Sequence, residues 1–207
     1  HINPRAQRYE FFSIFVTLNQ RNMEQNTLRK NMWEEAGRAG LVLGLTSTAY
    51  LFLNQYLGSS QISDIIKMLG STLLWAIKFG GFIYLMMLYM KKFEKLNQNI
   101  DNSQVFRFGL AASLLSAIVY AAASFANTAY ISADMINEQV GLLMEQMAPM
   151  MDSNTINQVD EVMAKLPQYT FFSNLLYCFT YGGVLSFILS RNIPSRDPFA
   201  NYTPDEQ

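Results

Sequence analysis

The sequence predicts an all-α, polytopic membrane protein with four transmembrane helices and an extracytoplasmic amphipathic helical hairpin between the third and fourth. Three observations predict it. Residues 39–63, 108–133 and 166–190 contain no Asp, Glu, Lys or Arg, and runs of about 25 such residues are long enough to cross a hydrocarbon layer roughly 30 Å thick. The one sizeable polar region, 131–166, spaces its apolar residues as a helix does. Lysines and arginines are distributed unevenly between the loops, as in a chain threaded through a membrane. With 207 residues, the chain has room for one domain, or one domain and an appendage.

From the N-terminus, residues 1–22 begin at His1 and differ in texture from the rest of the chain; they read as a non-native or truncated extension, with Met23 the natural start. The apolar stretch 11–18 is too short for a span and has no small-residue cleavage site after it. Residues 23–36 read as a polar cytoplasmic segment, with Trp33 at headgroup level. The membrane domain is expected over 37–190, its spans at 37–57, 65–90, 105–129 and 169–189. Gly58, Ser59 and Ser60 form the first turn. Lys78 lies near the middle of the second span. A central lysine costs about 2.5–3.5 kcal/mol, and the Leu, Ile and Phe residues around it, at roughly 0.3–0.6 kcal/mol each, supply about as much, so insertion survives.

Within the insertion 131–166, Ile136, Val140, Leu143 and Met147 follow i, i+4, i+7, i+11, and Ile156, Val159, Met163 and Leu166 follow i, i+3, i+7, i+10. Pro149 and the run Asp152, Ser153, Asn154 separate two amphipathic helices and offer the second a cap. Their apolar faces can pack on each other, lie in the membrane interface or receive a partner. The tail, 191–207, is polar and proline-containing and reads as disordered.

Orientation comes from counting basic residues. Arg29, Lys30 and Arg38 precede the first span, Lys91, Lys92, Lys95 and Arg107 follow the second, and Arg191 and Arg196 follow the fourth. The insertion has Lys165 alone, against Asp134, Glu138, Glu145, Asp152, Asp160 and Glu161. The positive-inside rule therefore predicts both termini of a multi-pass protein in the cytoplasm.

Two features inside the membrane stand out. An isolated ammonium in hydrocarbon is expensive, so Lys78 needs hydroxyls and carbonyls, a lipid phosphate or a carboxylate from another chain, unless it snorkels or sits neutral. Small residues are the second feature: Gly40 and Gly44 in the first span, Gly80 and Gly81 in the second, Gly109 and Ser113 in the third, and Gly182 and Gly183 in the fourth. Small faces let helices approach closely, so these residues mark packing seams, within the chain or between copies.

Several classes of function are excluded or left without support. A net charge of -1 with no basic stripe offers no footprint for a nucleic-acid backbone. The only histidine is His1 and the only cysteine Cys178, so no metal cluster, disulfide or cofactor is expected. No nucleophile has an evident base, and Asp160 and Glu161 read as the wet face of a helix. The methionines of the insertion, Met144 and Met147 among them, suit adaptable apolar contact.

The polar start after Met23, the glycine-bearing first span, the lysine in the second, the methionine-rich amphipathic insertion and the basic, proline-containing tail together resemble the four-helix inner-membrane proteins of Bacteroidota grouped as domain-of-unknown-function 4199. The resemblance covers about 23–198 and rests on the order and spacing of elements. That family has no established activity, so no site residue is implied. Its genes often lie beside a glycosyltransferase similar to dolichol-phosphate mannose synthases, which implies a membrane subunit serving a polyprenyl-phosphate enzyme. The expectation is a non-catalytic membrane protein that meets membrane lipids and acts through association, as a homo-oligomer or with a membrane-associated enzyme such as a glycosyltransferase. The alternative is a small oligomeric transporter or lipid-phosphate carrier using Lys78 as its anion contact.

Overall fold

Four helices of the computed structural model are long and apolar enough to cross a membrane, and no strand occurs among the described residues, 4–60, 62–97, 100–147 and 151–193. The helices are α1 (Pro4–Ser59), α2 (Asp64–Leu96), α3 (Asn102–Ala126), α4 (Ala133–Met147), α5 (Ser153–Ala164) and α6 (Leu166–Asn192), with one π-helical turn, Asn127–Ile131, after α3. The expected spans each fall inside α1, α2, α3 with its π-turn, or α6. The polar segment 23–36 continues α1 without a break, and the helical backbone reaches back to Pro4. His1, Pro149 and residues 194–207 of the tail lie outside the described residues.

Side chains close the helix ends where backbone groups run out of partners. Ser59 Oγ donates to the carbonyl of Tyr56 (3.1 Å) and Ser60 Oγ to that of Leu57 (2.6 Å), satisfying the last carbonyls of α1 in the turn. Asp101 caps α3 by accepting from the Ser103 amide (2.8 Å), and Asp152 caps α5 by accepting from the Thr155 amide (2.9 Å). The π-turn closes through the Ser132 amide on the Asn127 carbonyl (2.8 Å), and Gln55 Nε2 of α1 donates to Ser132 Oγ (2.8 Å), tying that turn to the bundle.

Contacts across the bundle fix its topology. Gly40 faces Ala112 and Gly44 faces Val119, so α1 and α3 run parallel. Lys92 pairs with Glu35 (3.0 Å), and Gly109 meets Ser186 while Gly182 meets Ser113, so α2 and α6 run the other way. Helix α3 lies in the middle with α1 and α6 on it; α2 rides mainly on α1. The core gathers at the basic end, where Ala39, Met86, Met90 and Val105 surround Phe93 and Phe108, whose rings stack at 4.4 Å and 6°.

Candidate functional site

Lys78 shares one stripe of α2 with Phe82, Met86 and Phe93, at i+4, i+8 and i+15, and Met86 and Phe93 are buried. That stripe faces the bundle, so the ammonium is carried inward rather than toward lipid. Its Nζ lies 4.7 Å from the ring centre of Tyr50 on α1 and 4.8 Å from that of Tyr120 on α3. A cation over two aromatic faces is stabilised by their quadrupoles, most strongly where water is scarce. Ser47, Ser116, Tyr177, Cys178 and Tyr181 also line a cavity of about 30 Å³ beside the ammonium, room for about one water molecule. Phe79 and Phe82 pack against Tyr181 at 5.3 and 5.7 Å, closing the cage on the α6 side. Among the described residues no carboxylate pairs with Lys78.

The aromatic faces are the part that reasoning from Lys78 alone misses, because hydroxyls, carbonyls and anions are the partners that its charge suggests. The signal is present in the spacing. Tyr50 continues the buried stripe Ala36, Ala39, Leu43, Ser47 of α1, and Tyr177 and Tyr181 are one turn apart on α6.

The small residues divide into two groups. At the α3–α6 crossing, Gly109 and Ser113 meet Gly182 and Ser186 in a reciprocal arrangement. A Cβ on Gly109 would lie 2.8 Å from Ser186 Oγ, and one on Gly182 would lie 2.6 Å from Ser113 Cβ. The hydroxyls of Ser113 and Ser186 donate to the carbonyls of Gly109 (2.7 Å) and Gly182 (2.6 Å), so neither polar group faces its neighbour unpaired. A Cβ on Gly40 would lie 2.9 Å from the Ala112 carbonyl, and one on Gly44 3.1 Å from that of Ser116, so backbone meets backbone along α1 and α3. Gly183 has ordinary contact room, 3.5 Å to Leu110. Gly80 and Gly81 are different: a Cβ on either would meet nothing within 4 Å, so neither is a close-approach point within this chain.

In the hairpin, Ile136 and Met163 line one cleft of about 300 Å³ with Asn137, Leu166 and Pro167, where the start of α4 meets the α5–α6 junction. Val140, Ile156 and Val159 are half-buried, whereas Leu143 and Met147 stand exposed and α4 buries no residue fully. The face expected on α4 is thus split, its first half against the bundle and its second half open. Among the described residues no group of three His, Cys, Asp or Glu side chains converges as a metal site would require.

A family model described as a protein of unknown function, DUF4199, matches residues 38–191. The chain belongs to the DUF4199 family. Neither a curated protein nor a solved structure matches it. The DUF4199 match starts in α1 at the level of the basic end and stops at the end of α6, so it takes in all four spans, the Lys78 cage, both glycine seams and the hairpin.

Proposed function

We propose that this DUF4199 protein is a non-catalytic subunit of the bacterial inner membrane, both termini cytoplasmic, that works by association and presents α2 to a second protein within the bilayer. The observation that carries this reading is the contrast among glycines. Gly40, Gly44, Gly109 and Gly182 are each filled by a neighbouring helix, whereas Gly80 and Gly81 form a notch mid-way along α2 with nothing seated in it. Such notches are where membrane helices approach most closely. The partner is a further copy of the chain or a membrane-linked enzyme, of the polyprenyl-phosphate glycosyltransferase kind that the family resemblance implies.

Purification from the native host in mild detergent tests it. A stoichiometric second chain, lost when Gly80 and Gly81 are both changed to Leu while the protein still elutes as a folded species, is the expected result. A reproducible lone monomer would overturn it. The carrier reading has one observation in its favour, an inward-facing ammonium among hydroxyls, but a cavity of about 30 Å³ would have to open widely to take a phosphate. Lys78→Leu separates the two: flux or lipid transfer disappears in a carrier and is unaffected in a subunit that works by association.

A further inference from the structure

A second, larger cavity opens at the basic end, away from the Lys78 cage. It is a half-open groove of about 600 Å³ between the middle of α1, the first half of α3 and α6, with Phe93 of α2 on its wall, within the size range of sites that take small molecules. Its two ends differ in chemistry. Arg29 and Arg107 stand at the mouth with Trp33 and Gln104, and Leu114 and Phe179 line the inner end. From Gln104 to Leu114 the helical rise is about 15 Å, so the groove passes from headgroup level into the hydrocarbon.

Three observations point to one kind of occupant. Arg29 and Arg107 are exposed and form no ion pair among the described residues, and no carboxylate lines the groove. At the same end Arg38 pairs with Glu34 and Glu35, and Lys92 with Glu35; what sets Arg29 and Arg107 apart from the other basic side chains there is that both line the groove. The side-chain carbonyl of Gln104 is buried with no hydrogen-bond partner among the described residues, a cost that a donor on a ligand would relieve. The walls inward of these polar groups are apolar and aromatic.

We propose that this groove binds an anionic phospholipid, its phosphate between Arg29 and Arg107, its headgroup or glycerol hydroxyl on Gln104, and an acyl chain along Leu114 and Phe179. Guanidinium forks suit phosphate oxygens geometrically as well as electrostatically. Basic pockets between membrane helices on the cytoplasmic side are where anionic headgroups settle. The Trp33 ring gives the headgroup level an amphipathic wall. Of α2 only Phe93 lines this groove, so the site is separate from Gly80 and Gly81 and from the association proposed for them.

The experiment uses the whole protein in mild detergent, with thermal unfolding followed as phosphatidylglycerol, phosphatidylcholine or inorganic phosphate is added. Saturable stabilisation by phosphatidylglycerol alone is expected, with apparent affinity about ten-fold weaker in either Arg29→Gln or Arg107→Gln. Arg29→Lys with Arg107→Lys should retain part of it. Equal stabilisation by phosphatidylcholine, equal stabilisation by inorganic phosphate, or an unchanged response in the double glutamine variant would each overturn the proposal. A phosphatidylglycerol with a photoreactive acyl chain, applied to the unaltered protein, gives a second reading: cross-links concentrated at 104–114 and around Phe179 are expected, and labelling spread evenly over the outer face of α2 would count against the groove.

Discussion

The two ends of the bundle are built on different terms. At the basic end the four spans converge on stacked Phe93 and Phe108, charges are paired between α1 and α2, and Ala36, Ala39, Met86, Met90 and Val105 are all but inaccessible. At the hairpin end fewer side chains are buried: Ile65, Ile66, Leu69 and Leu73 of α2 and Phe172 and Leu176 of α6 are all more than half exposed. Lys78 sits where one regime gives way to the other. The difference teaches where rigidity and availability lie. A membrane protein gains little from hiding apolar side chains from lipid, so what holds it together is close packing, here concentrated at one end. The other end is left to contact lipid or another chain.

The largest effect should come from opening the packed end. Phe108→Ala removes a ring that is 1% exposed and stacked on Phe93, leaving a cavity in both the aromatic pair and the α2–α3 contact; a loss of about 3–5 kcal/mol is expected. Leu69→Ala, at the open end, should cost less than about 0.5 kcal/mol. Unfolding of the two variants in mixed micelles checks both. Similar losses for the pair would mean that the ends are equally packed and that the contrast between them is false.

The next effect sits on the boundary. Lys78→Leu forfeits contact with two tyrosine rings, worth about 0.5–2 kcal/mol together, but relieves the cost of a lysine deep in the membrane, about 2.5–3.5 kcal/mol. A net gain of about 0.5–3 kcal/mol is expected, read as a higher midpoint in the same unfolding assay. A loss of that size would mean that the ammonium holds more than the aromatic cage, and would assign Lys78 to the packed end rather than the loose one.

Much of this architecture is legible in the sequence. Charge-free runs of adequate length locate the spans because hydrocarbon tolerates few charges, and the cap at Asp152 and the helical spacing of Ile156, Val159 and Met163 mark α5. What spacing along one chain does not say is how each helix is rotated. Gly40 and Gly80 look alike in sequence, yet one meets the α3 backbone and the other meets nothing, because the buried stripe of α2 runs through Lys78, Phe82 and Met86 and leaves Gly80 on another face. The groove is hidden for a related reason: Arg29 and Arg107 lie in different spans' approaches, and only the parallel packing of α1 on α3 brings them to one mouth.

The smallest effect tests the hairpin. Asp152 is fully exposed, and its carboxyl is held below its ordinary value of 3.8, first by the Thr155 hydroxyl and then by the Thr155 amide, both of which donate to the ionised form. Because the shift is downward, the cap's contribution is complete above the unfolded value and is lost as pH falls through the lowered one. Amide exchange over the first turn of α5 should therefore be unaffected between pH 7 and pH 5, after correction for intrinsic rates, and should lose protection only below about pH 4. Asp152→Ala should lose that protection at neutral pH and Asp152→Asn should keep most of it at every pH, since an asparagine oxygen caps without titrating. The basic end should not respond to any of these changes. If amides around Phe108 lost protection together with those of α5, the two ends would be one cooperative unit, and the division between a packed end and an available one would have to be abandoned.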